Sequence, residues 1–282
     1  MHVPCAGMKK TTILLYFTFL PLIFCISCKK QPVSPNTPPR VDFKATTTEY
    51  TKGGPKVFLT DFTPMWKAGD RFLVVGSDLT PHRCWTANDS TDMAYFKYDT
   101  VPAAPVSGPY TAFFPTEVYL SPTQIILPPS YQSATGALTN APMYASSNDS
   151  NLTFYNLCGV VCLNILGEEA KMLQYIILNA DKRIHGVFDL VENPDNPYCP
   201  QLSYNNSGST STILTLINPA QGDGYFYIPI PAGTYNSLSI YLTTYENSYA
   251  NATLGDGSPI TISQNAIFPF TIDNLSFSGS EK

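Results

Sequence analysis

The 282-residue chain is poor in charge and in the side chains that most enzymes use. Charged residues make up 13% of it, and it has three histidines. No cluster of Lys and Arg occurs, so the sequence shows no electrostatic footprint of a nucleic-acid partner. Neither a G-x-S-x-G nucleophile motif nor a Gly-rich phosphate-binding loop is present. These absences predict a protein that is not an enzyme and needs no cofactor.

Metal-binding patterns are missing as well. His82 and His185 are far apart, and each is expected to be a structural or surface histidine. Asp195, Asp223 and Asp256 lie in loops rich in Asn and Gly, but none matches the loop pattern of a calcium site. Ordinary turn chemistry explains these three carboxylates. We therefore expect no metal centre.

The N-terminus carries the strongest single signal. Lys9 and Lys10 precede an uncharged, apolar run that ends at Cys28; this is the pattern of a signal peptide, and the run is short for a bilayer span. Its last four residues, CISC, resemble the bacterial lipobox, although Cys25 stands where Leu is usual. Residues 1–27 are thus predicted to be a lipoprotein signal peptide and Cys28 the lipidated residue. A plain membrane anchor, or a cleaved signal with a stray cysteine, is the alternative.

A tether follows the predicted lipid. Residues 28–40 are rich in Pro, which favours an extended spacer between the membrane and the first domain. Beyond Cys28 the chain holds 14 basic and 21 acidic residues, a net charge of −7.

The remaining residues have the composition of a β-rich exported protein. Aromatic residues reach 13% and 25 prolines occur. Short apolar segments recur at intervals of roughly 8–12 residues between Gly, Pro and Asn turns, and helical periodicity is missing. The polar stretch at 146–151 makes the best boundary. The sequence therefore predicts an all-β chain with one β-sandwich at 41–146 and a second at 147–282.

Four cysteines remain besides the predicted anchor: Cys84, Cys158, Cys162 and Cys199. Cys158 and Cys162 lie on one strand-like run, which would place both on the same face roughly 13 Å apart, too far for a disulfide. They are expected to be small apolar core residues. A disulfide from Cys199 to either stays open as an alternative.

Five motifs are spread over nearly all of the chain beyond the tether. They are W-x-x-G-D at 66–70, YTAFFP at 110–115, PMYA at 142–145, the apolar run 154–166, and Y-x-P-x-P-A-G-x-Y at 227–235. In their order and spacing they resemble the fimbrillin-like family of Bacteroidetes, the subunits and accessory proteins of type V pili.

The resemblance implies two tandem transthyretin-like β-sandwich domains on an outer-membrane lipoprotein at the cell surface. It also implies partners: other pilus subunits joined by donor-strand exchange, and host proteins or glycans. In that family the polymerising subunits lose an N-terminal strand when a protease cuts the following loop. The open groove then accepts a strand from a neighbouring subunit through main-chain hydrogen bonds.

The chain departs from the family at the processing loop. Its first strand is predicted at Val41–Thr48, and the family commonly has an Arg in the loop that follows. Here that loop carries Lys52 and Lys56 and no Arg, while Arg40 precedes the strand. The candidate processing residues are therefore Lys52, Lys56 and Arg40. The missing Arg favours an uncut accessory, anchor or tip component over a polymer shaft.

Tyrosines form the candidate binding face. Tyr241, Tyr245 and Tyr249 recur every four residues, and Tyr225 and Tyr227 are two apart, so on a strand each set would share a side. Such a face suits sugar rings or a protein partner. Aromatic pairs that only stabilise a sandwich are the alternative. The second function hypothesis is therefore a stand-alone glycan-binding outer-membrane lipoprotein for nutrient capture.

Overall fold

The computed structural model describes residues 43–52, 64–89, 91–133, 137–138, 140–204, 207–217, 224–273 and 275–279. Strands dominate these residues, and the helical turns among them are two 3₁₀ segments, Thr116–Val118 and Glu168–Met172. Within the described ranges, no helix has the length and apolarity to cross a membrane. The predicted all-β fold is confirmed.

The described part of the chain forms 22 strands. In chain order they are β1 (Phe43–Thr47), β2 (Thr51–Lys52), β3 (Arg71–Val75), β4 (Pro81–Thr86), β5 (Met93–Tyr98), β6 (Tyr110–Phe114), β7 (Tyr119–Ser121), β8 (Gln124–Leu127), β9 (Ser130–Ser133), β10 (Met143–Ser147), β11 (Asn151–Asn156), β12 (Gly159–Ile165), β13 (Leu173–Ala180), β14 (Gly186–Val191), β15 (Gln201–Tyr204), β16 (Ser211–Leu216), β17 (Gly224–Ile230), β18 (Gly233–Tyr235), β19 (Leu238–Thr244), β20 (Tyr249–Thr253), β21 (Ile260–Ile262) and β22 (Ala266–Ile272).

Seven of the strands close into a barrel in the order β1-β11-β10-β6-β3-β4-β5. Their side chains alternate between the interior and the outside. On β4, for example, Cys84 and Thr86 are buried while Arg83 and Trp85 are exposed. The two-residue period of a strand produces this alternation.

Trp66 lies at the centre of the barrel core. It is 1% exposed, and its ring meets those of Phe96, Phe114 and Phe154 edge-on at centroid distances of 5.0, 5.3 and 5.3 Å. Each edge-to-face pair contributes about 0.5–1.5 kcal/mol beyond the area it buries. The first residue of the W-x-x-G-D motif therefore anchors the core.

The rest of that motif is a turn. The Asp70 carboxylate accepts a hydrogen bond from the backbone N–H of Lys67 at 2.7 Å. Gly69 has a φ of +90°, a conformation that L side chains rarely adopt. The motif thus brings the buried Trp66 directly before strand β3.

Two further sheets face each other across a second core. They have the orders β17-β12-β22-β2 and β20-β19-β13-β16-β9. Strand β12 is buried on both faces: Val161 and Leu163 face the core between the sheets, and Val160 and Cys162 face a smaller cluster around Tyr50. A strand covered on both sides reads as a continuous apolar run, which explains the sequence at this position.

Several pairings cross the predicted domain boundary. The sheet β15-β14-β8-β7, the β9–β16 pair and the β2–β22 pair each join strands from both sides of residue 146. Strand β11 pairs with β10 and β1 in the barrel, although it follows the boundary. The division into 41–146 and 147–282 stays a prediction.

Two buried tyrosines make the same local contact, one in each core. The hydroxyl of Tyr110 donates to the carbonyl of Val106 at 2.9 Å, and that of Tyr235 donates to the carbonyl of Pro231 at 2.7 Å. Both bonds reach back four residues, as in the tyrosine corners of β-sandwiches. This contact explains the last Tyr of the 227–235 motif.

Candidate functional site

Strand β1 completes the barrel. It pairs in parallel with β11 and antiparallel with β5, at the position where the sequence predicts the first strand. Phe43 and Ala45 are fully buried, and the Phe43 ring meets Tyr98 and Tyr110 edge-on at 5.4 and 5.1 Å. Burying a side chain of this size contributes about 1.5–3 kcal/mol. Without β1, strands β5 and β11 would be open sheet edges.

Two asparagines hold the segment that follows β1, and we call this pair the amide latch (Asn156 and Asn265). Nδ2 of Asn156 donates to Oδ1 of Asn265 at 2.6 Å and to the carbonyl of Thr48 at 3.4 Å. Nδ2 of Asn265 donates to the carbonyl of Glu49 at 2.9 Å. The backbone N–H and the hydroxyl of Thr51 both donate to the carbonyl of Asn265, at 2.8 and 3.1 Å. Residues 48–51 are thereby bonded to the end of β11 and to the turn before β22.

The amide latch is built into the fold. Asn156 is fully buried at the end of β11, where its amide needs hydrogen-bond partners. Asn265 has a φ of +57°, which Asn tolerates better than most residues, and its N–H donates to the carbonyl of Cys158 at 3.0 Å. Tyr50, within the segment that the latch holds, is buried, and burial raises its pKa well above the ordinary value. The latch could not be predicted from the sequence, because its two residues are 109 positions apart.

Of the three predicted processing residues, Lys52 lies within the described part of the chain. Lys52 lies in β2, and its backbone pairs with that of Ile267 on β22. Cleavage after Lys52 therefore requires β2 to separate from β22. Arg40, Lys56 and the predicted lipidation residue Cys28 lie outside the described residues.

The three candidate tyrosines do not share one strand. Tyr241 on β19 and Tyr249 on β20 stack across the hairpin, with centroids 5.9 Å apart and rings 17° from parallel. Tyr245 lies in the turn between them, and its hydroxyl donates to the carbonyl of Leu216 at 3.3 Å. The period of four spans a turn, so the expectation of one strand was wrong. The structure brings two of the tyrosines together, and Tyr249 is 38% exposed.

Tyr225 and Tyr227 pack against buried side chains. Both lie on the same face of β17, as predicted, and pack in the cluster of Val160 and Cys162. Tyr227 is 5% exposed. This pair therefore fits the stabilising interpretation of the tyrosines.

All four described cysteines are free and buried. Cys158 lies in the bend before β12 and packs in a different cluster from Cys162, so the predicted shared strand face was wrong. Burial raises the pKa of Cys162 and of Cys199 to about 12. The predicted role as small apolar core residues is confirmed, and these thiols are poor nucleophiles near neutral pH.

The histidines make local contacts. Nε2 of His82 lies 2.6 Å from a carboxylate oxygen of Asp78, and Nδ1 of His185 lies 2.7 Å from the carbonyl of Ser211. Burial lowers the pKa of His185. In the part of the chain that the structure describes, no three His, Cys, Asp or Glu side chains are grouped to hold a metal ion.

No protein-family model matches the chain, and no curated protein matches it. The fold is similar to that of a "putative cell adhesion protein" from Bacteroides ovatus, with a TM-score of 0.51 and 8% identity over 86% of this chain and 96% of that one. A protein of the same description from Bacteroides uniformis aligns with a TM-score of 0.46 and 11% identity over the same shares. At these identities the first likeness shows the fold alone. That fold is consistent with the resemblance to the fimbrillin-like family.

Proposed function

We propose that the chain is a fimbrillin-like surface protein of the outer membrane, anchored through a lipid on Cys28, that serves adhesion as an accessory or tip component of a pilus. The observation that carries the proposal is that β1 is paired with a strand on each side. This strand fills the groove between β5 and β11, and the amide latch fixes the segment behind it. The fold likeness to an adhesion protein of Bacteroides supports the same class.

The filled groove matters because it blocks strand exchange. An exposed groove between two strands recruits a third strand through main-chain hydrogen bonds. A groove that stays filled cannot accept a strand from another subunit. A chain that keeps β1 would therefore end a polymer rather than extend it, in agreement with the missing Arg in the processing loop.

The two-domain arrangement is part of the proposal. The barrel core and the core between the two facing sheets each contain a tyrosine bonded to the carbonyl four residues upstream. A repeated corner of this kind supports two related transthyretin-like sandwiches. The buried thiols and the separated histidines support a binding protein rather than an enzyme.

Native surface assemblies provide the test. The protein should acquire a metabolically incorporated fatty-acid label, be accessible to antibody on intact cells, and co-purify with a pilus or adhesive complex. Cys28→Ser should abolish the label and the surface pool, whereas Cys5→Ser is the matched control and should change neither, because Cys5 precedes Lys9 and lies outside the lipobox. Recovery of the unmodified chain as a free periplasmic protein would overturn the proposal.

The Tyr241–Tyr249 stack favours a second candidate function, glycan capture without a pilus. A glycan array with the intact protein tests it, with Tyr241→Ala and Tyr249→Ala as the loss variants. Tyr198→Ala is the control, because Tyr198 is 63% exposed and lies on a different part of the chain. An array without hits removes this candidate.

A further inference from the structure

One outer face of the barrel combines cations with aromatic rings. Arg71 on β3 lies opposite Trp85 on β4, and Trp85 lies opposite Lys97 on β5. The three side chains therefore stand side by side on neighbouring strands and point away from the core. Trp85 is 38% exposed and the Arg71 side chain 55%.

The same pattern continues onto the first strand. Lys44 on β1 lies opposite Tyr95 on β5, and Tyr95 is 53% exposed. Tyr95 and Lys97 are two residues apart on one strand and so share a side, as do Arg83 and Trp85 on β4. We call the whole set the basic–aromatic face (Lys44, Arg71, Arg83, Trp85, Tyr95 and Lys97).

The basic–aromatic face carries positive charge, although the chain as a whole has a negative net charge. It holds four cations, whereas the whole chain has a net charge of −5. Asp99 approaches Arg71 at 3.5 Å, and an exposed pair of this kind is weak and screened by salt. No ion pair is found for Lys44, Arg83 or Lys97 within the described ranges. These cations are far apart in the sequence, so a search for Lys/Arg clusters misses them.

We propose that the basic–aromatic face binds an anionic polysaccharide, with the acidic groups on the cations and a sugar ring on Trp85. An indole presents a flat apolar surface to the C–H face of a sugar ring. Arg71 and Lys97 are two strands apart, which places their backbones about 9.5 Å from each other. That distance suits a polysaccharide in which two sugars with acidic groups are separated by one uncharged sugar.

A nucleic acid fits this arrangement less well. Each strand of a duplex carries one phosphate per about 3.4 Å of helix axis, so a duplex is bound best by a dense row of cations. The basic–aromatic face instead alternates cations with rings on a sheet surface.

The inference goes beyond the proposed function, because it names a ligand class and a surface that strand exchange does not use. It also gives β1 a second role, since Lys44 belongs to that strand. The face lies on the barrel, whereas the Tyr241–Tyr249 stack lies on the β19–β20 hairpin. Failure of one binding surface therefore leaves the other untouched.

Binding of the intact purified protein to heparan sulfate, to the same polysaccharide after desulfation, and to single-stranded DNA of equal length tests the inference. We expect the sulfated polysaccharide to bind most tightly and its affinity to fall with added salt. Trp85→Ala should weaken binding about tenfold, the scale of one lost aromatic contact. The double variant Arg71→Gln/Lys97→Gln should weaken it at least as much.

The matched controls are Lys171→Gln/Lys182→Gln for charge and Tyr198→Ala for an exposed ring, and both should bind as the unchanged protein does. The inference is overturned if the sulfated polysaccharide does not bind, if DNA binds more tightly, or if the controls weaken binding equally. An unchanged affinity of Trp85→Ala would also overturn it. Surface display and co-purification with a pilus report separately on the proposed function.

Discussion

Nδ2 of Asn156 lies 2.6 Å from Oδ1 of Asn265, and this contact joins the end of β11 to the turn before β22. Both side chains also bond the backbone that leaves β1, at Thr48 and Glu49. The first strand of the barrel is therefore tied to the last strand of the second core. Any process that removes β1 together with residues 48 and 49 has to break the bonds from these amides to the two carbonyls.

Asn265→Gly tests the amide latch. Glycine keeps the positive φ but deletes the amide, which leaves the buried Asn156 side chain without its closest partner. We expect the free energy of unfolding to fall by about 1–3 kcal/mol in urea denaturation. Trypsin should also cleave faster after Lys52, because β2 separates from β22 more often.

Asn247→Gly is the control for that change. Asn247 has a φ of +60° in the exposed turn between β19 and β20, so the same substitution is made at the same backbone conformation. Its stability and cleavage rate should stay close to those of the unchanged protein. Equal effects of the two variants would mean that the latch contributes nothing specific.

A disulfide between β1 and β11 tests whether the first strand has to leave. Thr46 and Thr153 lie opposite each other on the outside of the barrel, with their hydroxyl oxygens 3.4 Å apart. Oxidised Thr46→Cys/Thr153→Cys should lock the strand in place while surface display and recovery in the native assembly stay unchanged. The reduced double variant and each single variant are the controls. Loss of assembly in the oxidised protein alone would show that β1 must be released.

The buried thiols predict a loss of stability at alkaline pH. Burial raises the pKa of Cys162 and Cys199 in the folded state to about 12, above the ordinary value of about 9. The folded protein therefore keeps protons that the unfolded chain releases, so the free energy of unfolding should fall as the pH rises from about 9 to about 12. Urea denaturation at pH 7, 9 and 10.5 measures this slope, and Cys162→Ala should reduce it.

Alkylation offers an independent check on these thiols. Iodoacetamide should label none of the four described cysteines in the folded protein at pH 8, and all of them in urea. Rapid labelling of the folded protein would contradict the account of inert core thiols.

Local patterns in the sequence predicted much of the fold. The first strand, predicted at Val41–Thr48, is β1, and the apolar run at 154–166 contains the buried strand β12. Side-chain period reports which faces of a strand are buried, so both could be found from the sequence. The W-x-x-G-D motif forms the turn before β3, where Gly69 supplies the positive φ and Asp70 bonds the backbone of Lys67. Short-range chemistry was sufficient for these elements.

Contacts between distant strands could not be predicted in this way. The spacing of hydrophobic residues shows which side of a strand is buried but not which strand lies next to it. The parallel pairing of β1 with β11 therefore could not be predicted from the sequence. Arg71, Trp85 and Lys97 stand alone in the sequence and become neighbours only through strand register. Tyr245 shows the opposite error, since a regular spacing crossed a turn and suggested a face that does not form.

The N-terminus and the intact mass of the protein recovered from its native outer membrane test the central claim most directly. The account predicts a chain that begins at acylated Cys28 and still contains β1, as an accessory or tip component requires. A chain that begins at Gly53 or Val57 would contradict it, because the first strand would then have been removed as in a polymerising subunit.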